Sequence, residues 1–352
     1  MSGTVTPGAF NSLAGPLGPL IGNATLVRQH LDQLTEQSST GLVSQTYGGL
    51  GASAAVSLNL RPQLQSITSY QQNITAANTT LSSTNDMLNQ LGQIANDFQS
   101  SLDGADVQSS TGVITLASHA KAALSQVQAL LNTKLGASYL LSGDDTANAP
   151  VPSASFNSFV QSIETAASGL SGSTGAATAA ATLAAANAQS PFSATIGSTP
   201  RQVTISPGDT VSVGVVAGQN LSGTSAGSST TGSYVRDIIR ALATISTFNG
   251  TSLSQGANFT QLVADTNTSL LGASQAITND VSAIGVTQQE LTTKQSDLNT
   301  TATTLTSQIS SVEDVNAAST ISQLTATQTQ LQESYKLISM AQSMSLANYL
   351  AA

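Results

Sequence analysis

Leu60, Ile67, Ile74, Leu81, Leu88, Ala95 and Leu102 recur every seven residues along the first half of the chain. A second row sits three positions further on, at Tyr70, Ala77, Thr84, Leu91 and Phe98. This a/d pattern predicts one long helix with a narrow apolar seam, about 65 Å from end to end at 1.5 Å per residue. A stripe that narrow has to be covered by another helix. Pro62 falls in the first turn of this helix or kinks it. The far end of the chain mirrors the pattern, with Ile277, Ile284, Leu291, Leu298, Leu305 and Val312 at the same spacing and Val281 and Ile309 beside them. The phase then slips between Glu313 and Thr320 and resumes at Ile321, Leu324, Leu331, Tyr335 and Ile338. A slip of this kind is a stutter, or a joint between two helical blocks.

The remaining segments are shorter. Gly3, Pro7, Gly8, Gly15, Pro16, Gly18, Pro19 and Gly22 exclude a stable helix before about Asn23. A helix is expected from Ala24 to Ser39, with Val27, Leu31 and Leu34 on one face and Gly41 as its C-terminal cap. Val113 to Lys134 reads as another, with Leu116, Leu124, Val127 and Leu131 inward. Residues 143–233 are rich in Gly, Pro, Ser, Thr and Ala. Within them Phe156 to Ala188 reads as helical. Gln202 to Val216 reads as a hairpin, its alternating strands joined at Pro207-Gly208-Asp209. Tyr234 to Phe248 predicts one more amphipathic helix.

The fold class that follows is mainly α. The N- and C-terminal segments form a long antiparallel coiled-coil rod, and a smaller α+β or β-rich insert domain sits at its tip. The expected divisions are an assembly segment at 1–50, rod halves at 51–150 and 234–312, the insert at 151–233, and a second assembly segment at 313–352.

Composition narrows the function. Charged residues are 8% of the chain, against roughly 25% in an ordinary soluble domain. The net charge is -9, which argues against a nucleic-acid binder and against docking on anionic lipid. Ser and Thr together are about 28%, so the surface is polar but mostly uncharged, a composition that lets many copies pack closely. Without Cys there are no disulfides, thiolate metal sites or Cys nucleophiles, and two His residues, His30 and His119, leave little for a metal centre. No stretch is long and apolar enough to span a membrane. The first basic residue is Arg28, so no secretory signal is visible and export by a route without a cleaved peptide is expected. Asp144-Asp145 lacks the further carboxylates of a calcium loop and reads as a turn or cap. Glu313-Asp314 reads as a helix cap or a contact to a neighbouring subunit. No nucleophile elbow, phosphate loop or dinucleotide fingerprint is present, so no catalytic, cofactor or metal residue is assigned and no enzyme is expected.

Two stretches carry a resemblance. Glu313-Asp314-Val315, Leu324, Gln328, Leu331-Gln332, Ser334-Tyr335 and the ending Ser345-Leu346-Ala347-Asn348-Tyr349-Leu350 resemble the C-terminus of bacterial flagellins and of the flagellar hook–filament junction protein. Leu130-Leu131-Asn132-Thr133-Lys134 with Tyr139-Leu140-Leu141-Ser142-Gly143-Asp144-Asp145-Thr146 resembles the segment that closes that junction protein's inner helical domain. Ser38-Ser39-Thr40-Gly41 stands where the family has Ser-Ser-Gly, whereas the loop at Tyr47 to Ala52 lacks the family's Asp-Asp or Asp-Pro pair. The resemblance implies terminal segments that are flexible in the monomer and form a coiled-coil tube on assembly. It implies a structural subunit of the bacterial flagellum, extracellular and exported by the flagellar type III apparatus. The hook–filament junction is the first reading and a filament flagellin the alternative; a secreted adhesin or phage fibre protein is more distant. Expected partners are copies of itself, the other axial proteins and an export chaperone, with no cofactor, nucleic acid or membrane insertion. The assembly residues expected are Val27, Leu31, Leu34, Leu324, Leu331, Tyr335, Ile338, Leu346, Tyr349 and Leu350. The rod seam is expected at Leu60, Ile67, Ile74, Leu81, Leu88, Leu91, Phe98, Leu102, Ile277, Ile284, Leu291, Leu298, Leu305 and Val312.

Overall fold

Two helices dominate the computed structural model, α2 (Ala54–Asp103) and α8 (Ala257–Glu313). The structure describes residues 17–222, 224–225 and 229–350. The expectation for residues 1–16 lies outside them. The chain divides into two compact units, Ile67–Asn299 in one and Met1–Ser66 with Thr300–Ala352 in the other.

In the unit Ile67–Asn299, four polar pairs set the register of α2 against α8. Gln71 donates to Asn299, Gln288 to Ser82, Ser274 to Asn96 and Asn267 to Asp103. Every step down one helix is matched by an equal step up the other, 11, 14 and then 7 residues, so the two run antiparallel without slipping. Between these exposed rungs lie the apolar rows. Ile67, Ile74, Leu81, Leu88, Leu91, Phe98 and Leu102 are buried on α2, and Ile277, Ile284, Leu291 and Leu298 on α8. Gly92 sits where a Cβ would touch Ile277 at 3.5 Å, which brings the two backbones close. Met87 and Ile94 are buried as well and widen the stripe on α2. Helix α3 (Ser110–Leu131) lies along the face that carries Ile94; Ile94 and Phe98 share a groove with Leu116 and Ala123. Ser109 caps α3 by accepting from the Gly112 amide. Pro62 stands nine residues into α2, past the first turn where it was expected.

After α3 comes a two-residue hairpin, β1 (Lys134–Leu135) and β2 (Ser138–Tyr139), turned at Gly136. The insert then supplies α4 (Ser153–Ala167), α5 (Gly175–Ala188) and the hairpin β3 (Arg201–Ser206) with β4 (Asp209–Val213). Gly208 takes φ +76° in the hairpin turn, the left-handed region glycine adopts freely. The fold is mainly α with a small antiparallel insert. The hairpin lies against the flank of the α2/α8 pair and not beyond its tip. Asn73 of α2 donates to the Thr204 carbonyl, Arg201 reaches Thr80 of α2, and Lys294 of α8 pairs with Asp209. Asn73 is 30 residues from the end of α2, about 45 Å along the helix.

The other surprise is α6 (Tyr234–Ser246), expected as an amphipathic helix of the rod. Nearly all of its residues are buried, because α3, α4 and α5 pack around it. Two of its charged residues find partners inside. Arg240 donates to the Ser229 carbonyl and pairs with Asp265, and Asp237 accepts from the Thr231 amide at 2.7 Å. Asp280 of α8 accepts from the Leu221 and Ser222 amides, both at 2.8 Å. The short helix α7 (Gly250–Leu253), capped by Asn249, leads into α8.

Candidate assembly interface

Two terminal helices complete the other unit, α1 (Leu17–Thr40) and α9 (Ala317–Leu350), and they pack on each other. Helix α1 starts earlier than the breaker-dense sequence allowed. Pro19 is its third residue, in the first turn, where a helix has no use for the missing N–H. On α1, Ala24 and Leu34 are buried and Val27 and Leu31 partly so. On α9 the buried positions are Thr320 and Thr327, seven apart, with Leu324, Leu331 and Ile338 partly buried on the same stripe. Tyr335 is half exposed at its edge. Leu346, Tyr349 and Leu350 stand on the last turns of α9, where no side chain is described. Thus α1 and α9 bring the two halves of the expected assembly set together and cover part of it.

A large apolar remainder stays outward. Ile21 and Leu26 on α1, and Ile321, Leu337 and Met340 on α9, are each exposed by half or more. Ile321 was expected in the seam; here it faces out. Leu60, Leu305 and Val312 of the rod seam fall in this unit, Leu305 buried and the other two partly so.

The phase slip is a joint. Helix α8 stops at Glu313 and α9 begins at Ala317, with Asn316 capping it by accepting from the Ser319 amide. Helix α1 stops at Thr40 and Gly41 turns the chain at φ +73°. The two crossings meet as a short antiparallel bridge at Leu42 and Asp314. The Val43 amide donates to the Glu313 carbonyl at 2.7 Å, and Val315 to Gly41 at 2.9 Å. The Glu313 carboxylate does not cap a helix. It takes a two-pronged ion pair from Arg61, 2.9 and 2.5 Å, and a hydrogen bond from Ser57, both on α2. These partners hold the Glu313 carboxyl below its ordinary value and raise the Arg61 guanidinium.

Of the residues weighed for chemistry, the two aspartates sit in turn contacts. Asp144 accepts from Thr199 and Asp145 from Asn148, as turn residues do. The Asn148 bond, first among its partners, lowers the Asp145 carboxyl. His30 and His119 are exposed on α1 and α3. Among the described residues no three His, Cys, Asp or Glu side chains gather to hold a metal ion, and no helix is long and apolar enough to cross a membrane.

Comparison with known proteins meets this geometry at its C-terminal helices. Residues 268–350 match the bacterial flagellin C-terminal helical region. The match is confined to this C-terminal stretch. It covers most of α8 and all of α9, the helices that form the rod's return and half of the terminal pair. The fold of the chain is also similar to that of a protein described as a flagellar hook-associated protein from Vibrio parahaemolyticus. The TM-score is 0.52 at 16% identity, over 76% of this chain and 99% of that one. No curated protein sequence matches.

Proposed function

We propose that this chain is a structural subunit of the bacterial flagellum, built into the axial assembly through α1 and α9, and that its place is the hook–filament junction. One observation carries the reading: the paired terminal helices leave Ile21, Leu26, Ile321, Leu337 and Met340 outward on a surface with few charges. A chain that functions alone in water rarely keeps such a ridge; one that is covered by copies of itself needs it. The flagellin C-terminal match takes in α9 of this pair together with most of α8, and the solved neighbour is described as hook-associated. That neighbour favours the junction over the filament. The partners are further copies, the adjoining hook and filament proteins, and an export chaperone, and the product is extracellular. Removal of residues 321–352 tests the assembly role. The truncated chain should stay soluble and keep a cooperative melt of the Ile67–Asn299 unit, yet fail to incorporate into flagella. Normal incorporation of the truncated chain would refute it.

A further inference from the structure

The chain has nine Lys and Arg in 352 residues, and one of them stands at the joint between the rod helices and the terminal pair. There, four strands of chain converge on Glu313. Its carbonyl takes the Val43 amide just after α1, and its carboxylate takes Arg61 and Ser57 in the opening turns of α2. The residue itself ends α8, and the residues beside it pair with Leu42 and Gly41 before α9 begins. The Glu313 side chain is 10% exposed, the Arg61 side chain 53%, so the carboxylate is the enclosed partner and the guanidinium covers it from outside. A carboxylate enclosed in this way depends on its partners, because an unpaired charge there would pull the segment toward water. Gln37 tightens the same knot by donating to the Val43 carbonyl at 2.9 Å.

From this geometry we infer that Glu313 is a positioning residue for assembly: through Arg61 and Ser57 it clasps the α1-to-α2 and α8-to-α9 crossings and fixes the direction in which the α1/α9 pair leaves the joint. The backbone bridge alone is two hydrogen bonds long, and Gly41 gives it freedom to twist. The ion pair supplies the directional constraint, since a planar fork on a carboxylate fixes orientation as well as distance. The importance for incorporation rests on the flagellar reading above; the clasp itself does not.

The experiment compares Glu313→Gln, Arg61→Gln, the double variant and Arg61→Lys in the full chain, by amide hydrogen exchange in the monomer and by incorporation in cells. Glu313→Gln should speed exchange at Val43 and Val315 about tenfold or more and leave α4 to α6 unchanged. Arg61→Gln should do the same, and the double variant should be no worse than either, the mark of one shared interaction. Arg61→Lys keeps the charge without the fork and should fall between. Incorporation should follow the same order. Unchanged exchange at Val43 and Val315 in Glu313→Gln, or additive effects in the double variant, would overturn the clasp. Exchange that responds as expected while every variant incorporates normally would overturn its role in assembly. Failure of the unaltered chain to incorporate would count against the flagellar reading alone, and the exchange data would still decide the clasp.

Discussion

Replacing Leu81 by Ala should unfold the long unit at a distinctly lower temperature. Leu81 is 2% exposed, in the middle of α2, with Ile74 and Leu88 above and below it in the same row, both buried. The polar rungs put it level with Gln289 of α8, two residues from the buried Leu291, and they put Ile74 two residues from the level of Leu298. Neither helix can close the gap left by the side chain without breaking the rungs at Ser82–Gln288 and Gln71–Asn299. The cavity therefore stays open, and the cost belongs to the range of about 2–5 kcal/mol for Leu→Ala in a rigid core. For a unit of 150–250 residues each kcal/mol moves the melting temperature by roughly 2–4 °C, so a loss of about 3 kcal/mol means a shift of roughly 6–12 °C. Gln93→Ala, exposed on the same helix, is the control and should stay within about 0.5 kcal/mol. The assay is a thermal melt followed by circular dichroism, with urea melts to confirm an unchanged slope. Equal, small effects from both substitutions would mean that Leu81 faces solvent in the monomer and that the seam reasoning is wrong.

Other expectations follow from single contacts. Asp280→Ala leaves the Leu221 and Ser222 amides without their acceptor and should cost about 2–4 kcal/mol in the same melts, whereas Asp280→Asn, which keeps one acceptor oxygen, should cost less. Burial, with Asp280 beside it, raises the Tyr234 phenol well above 10.0; the stability it contributes is complete below pH 10 and is lost as pH climbs toward the folded value. One of the six tyrosines should accordingly resist ionisation in an ultraviolet titration until the fold opens. Gly143→Ala should destabilise by about 1–3 kcal/mol, because φ is +63° and a Cβ would lie 2.8 Å from the Thr199 carbonyl oxygen; Gly169→Ala meets open space and should be neutral.

The long helices could be read from the chain because their heptads are nearly unbroken and their buried rows are mostly Leu and Ile, with Ala77, Ala95 and Phe98 keeping the period. Three features could not. Met87 and Ile94 lie off the a/d rows, and Ile94 is covered where α3 brings Leu116 and Ala123 alongside it. Thr320 and Thr327 occupy the buried stripe of α9, but a hydroxyl residue looks polar in any pattern of apolar positions. Helix α6 reads as two-faced because Arg240 and Asp237 mark one side as polar; burial of that side depends on Ser229, Thr231 and Asp265, distant partners that no local period reveals. The joint at Glu313 was visible as a slip of phase. Its partner Arg61 was not, being 252 residues away. The sequence pattern also could not say where the β3/β4 hairpin rests, since the contacts at Asn73, Thr80 and Lys294 are single polar side chains that no apolar period marks.

The most direct test of the central claim is immunogold labelling of isolated flagella from the bacterium that makes this chain, with antibody raised against residues 151–233. The account predicts gold confined to a band where the hook meets the filament. Label along the whole filament would move the chain to the filament and contradict the junction assignment; flagella that carry no label, from cells in which the protein is detected, would contradict the flagellar role altogether.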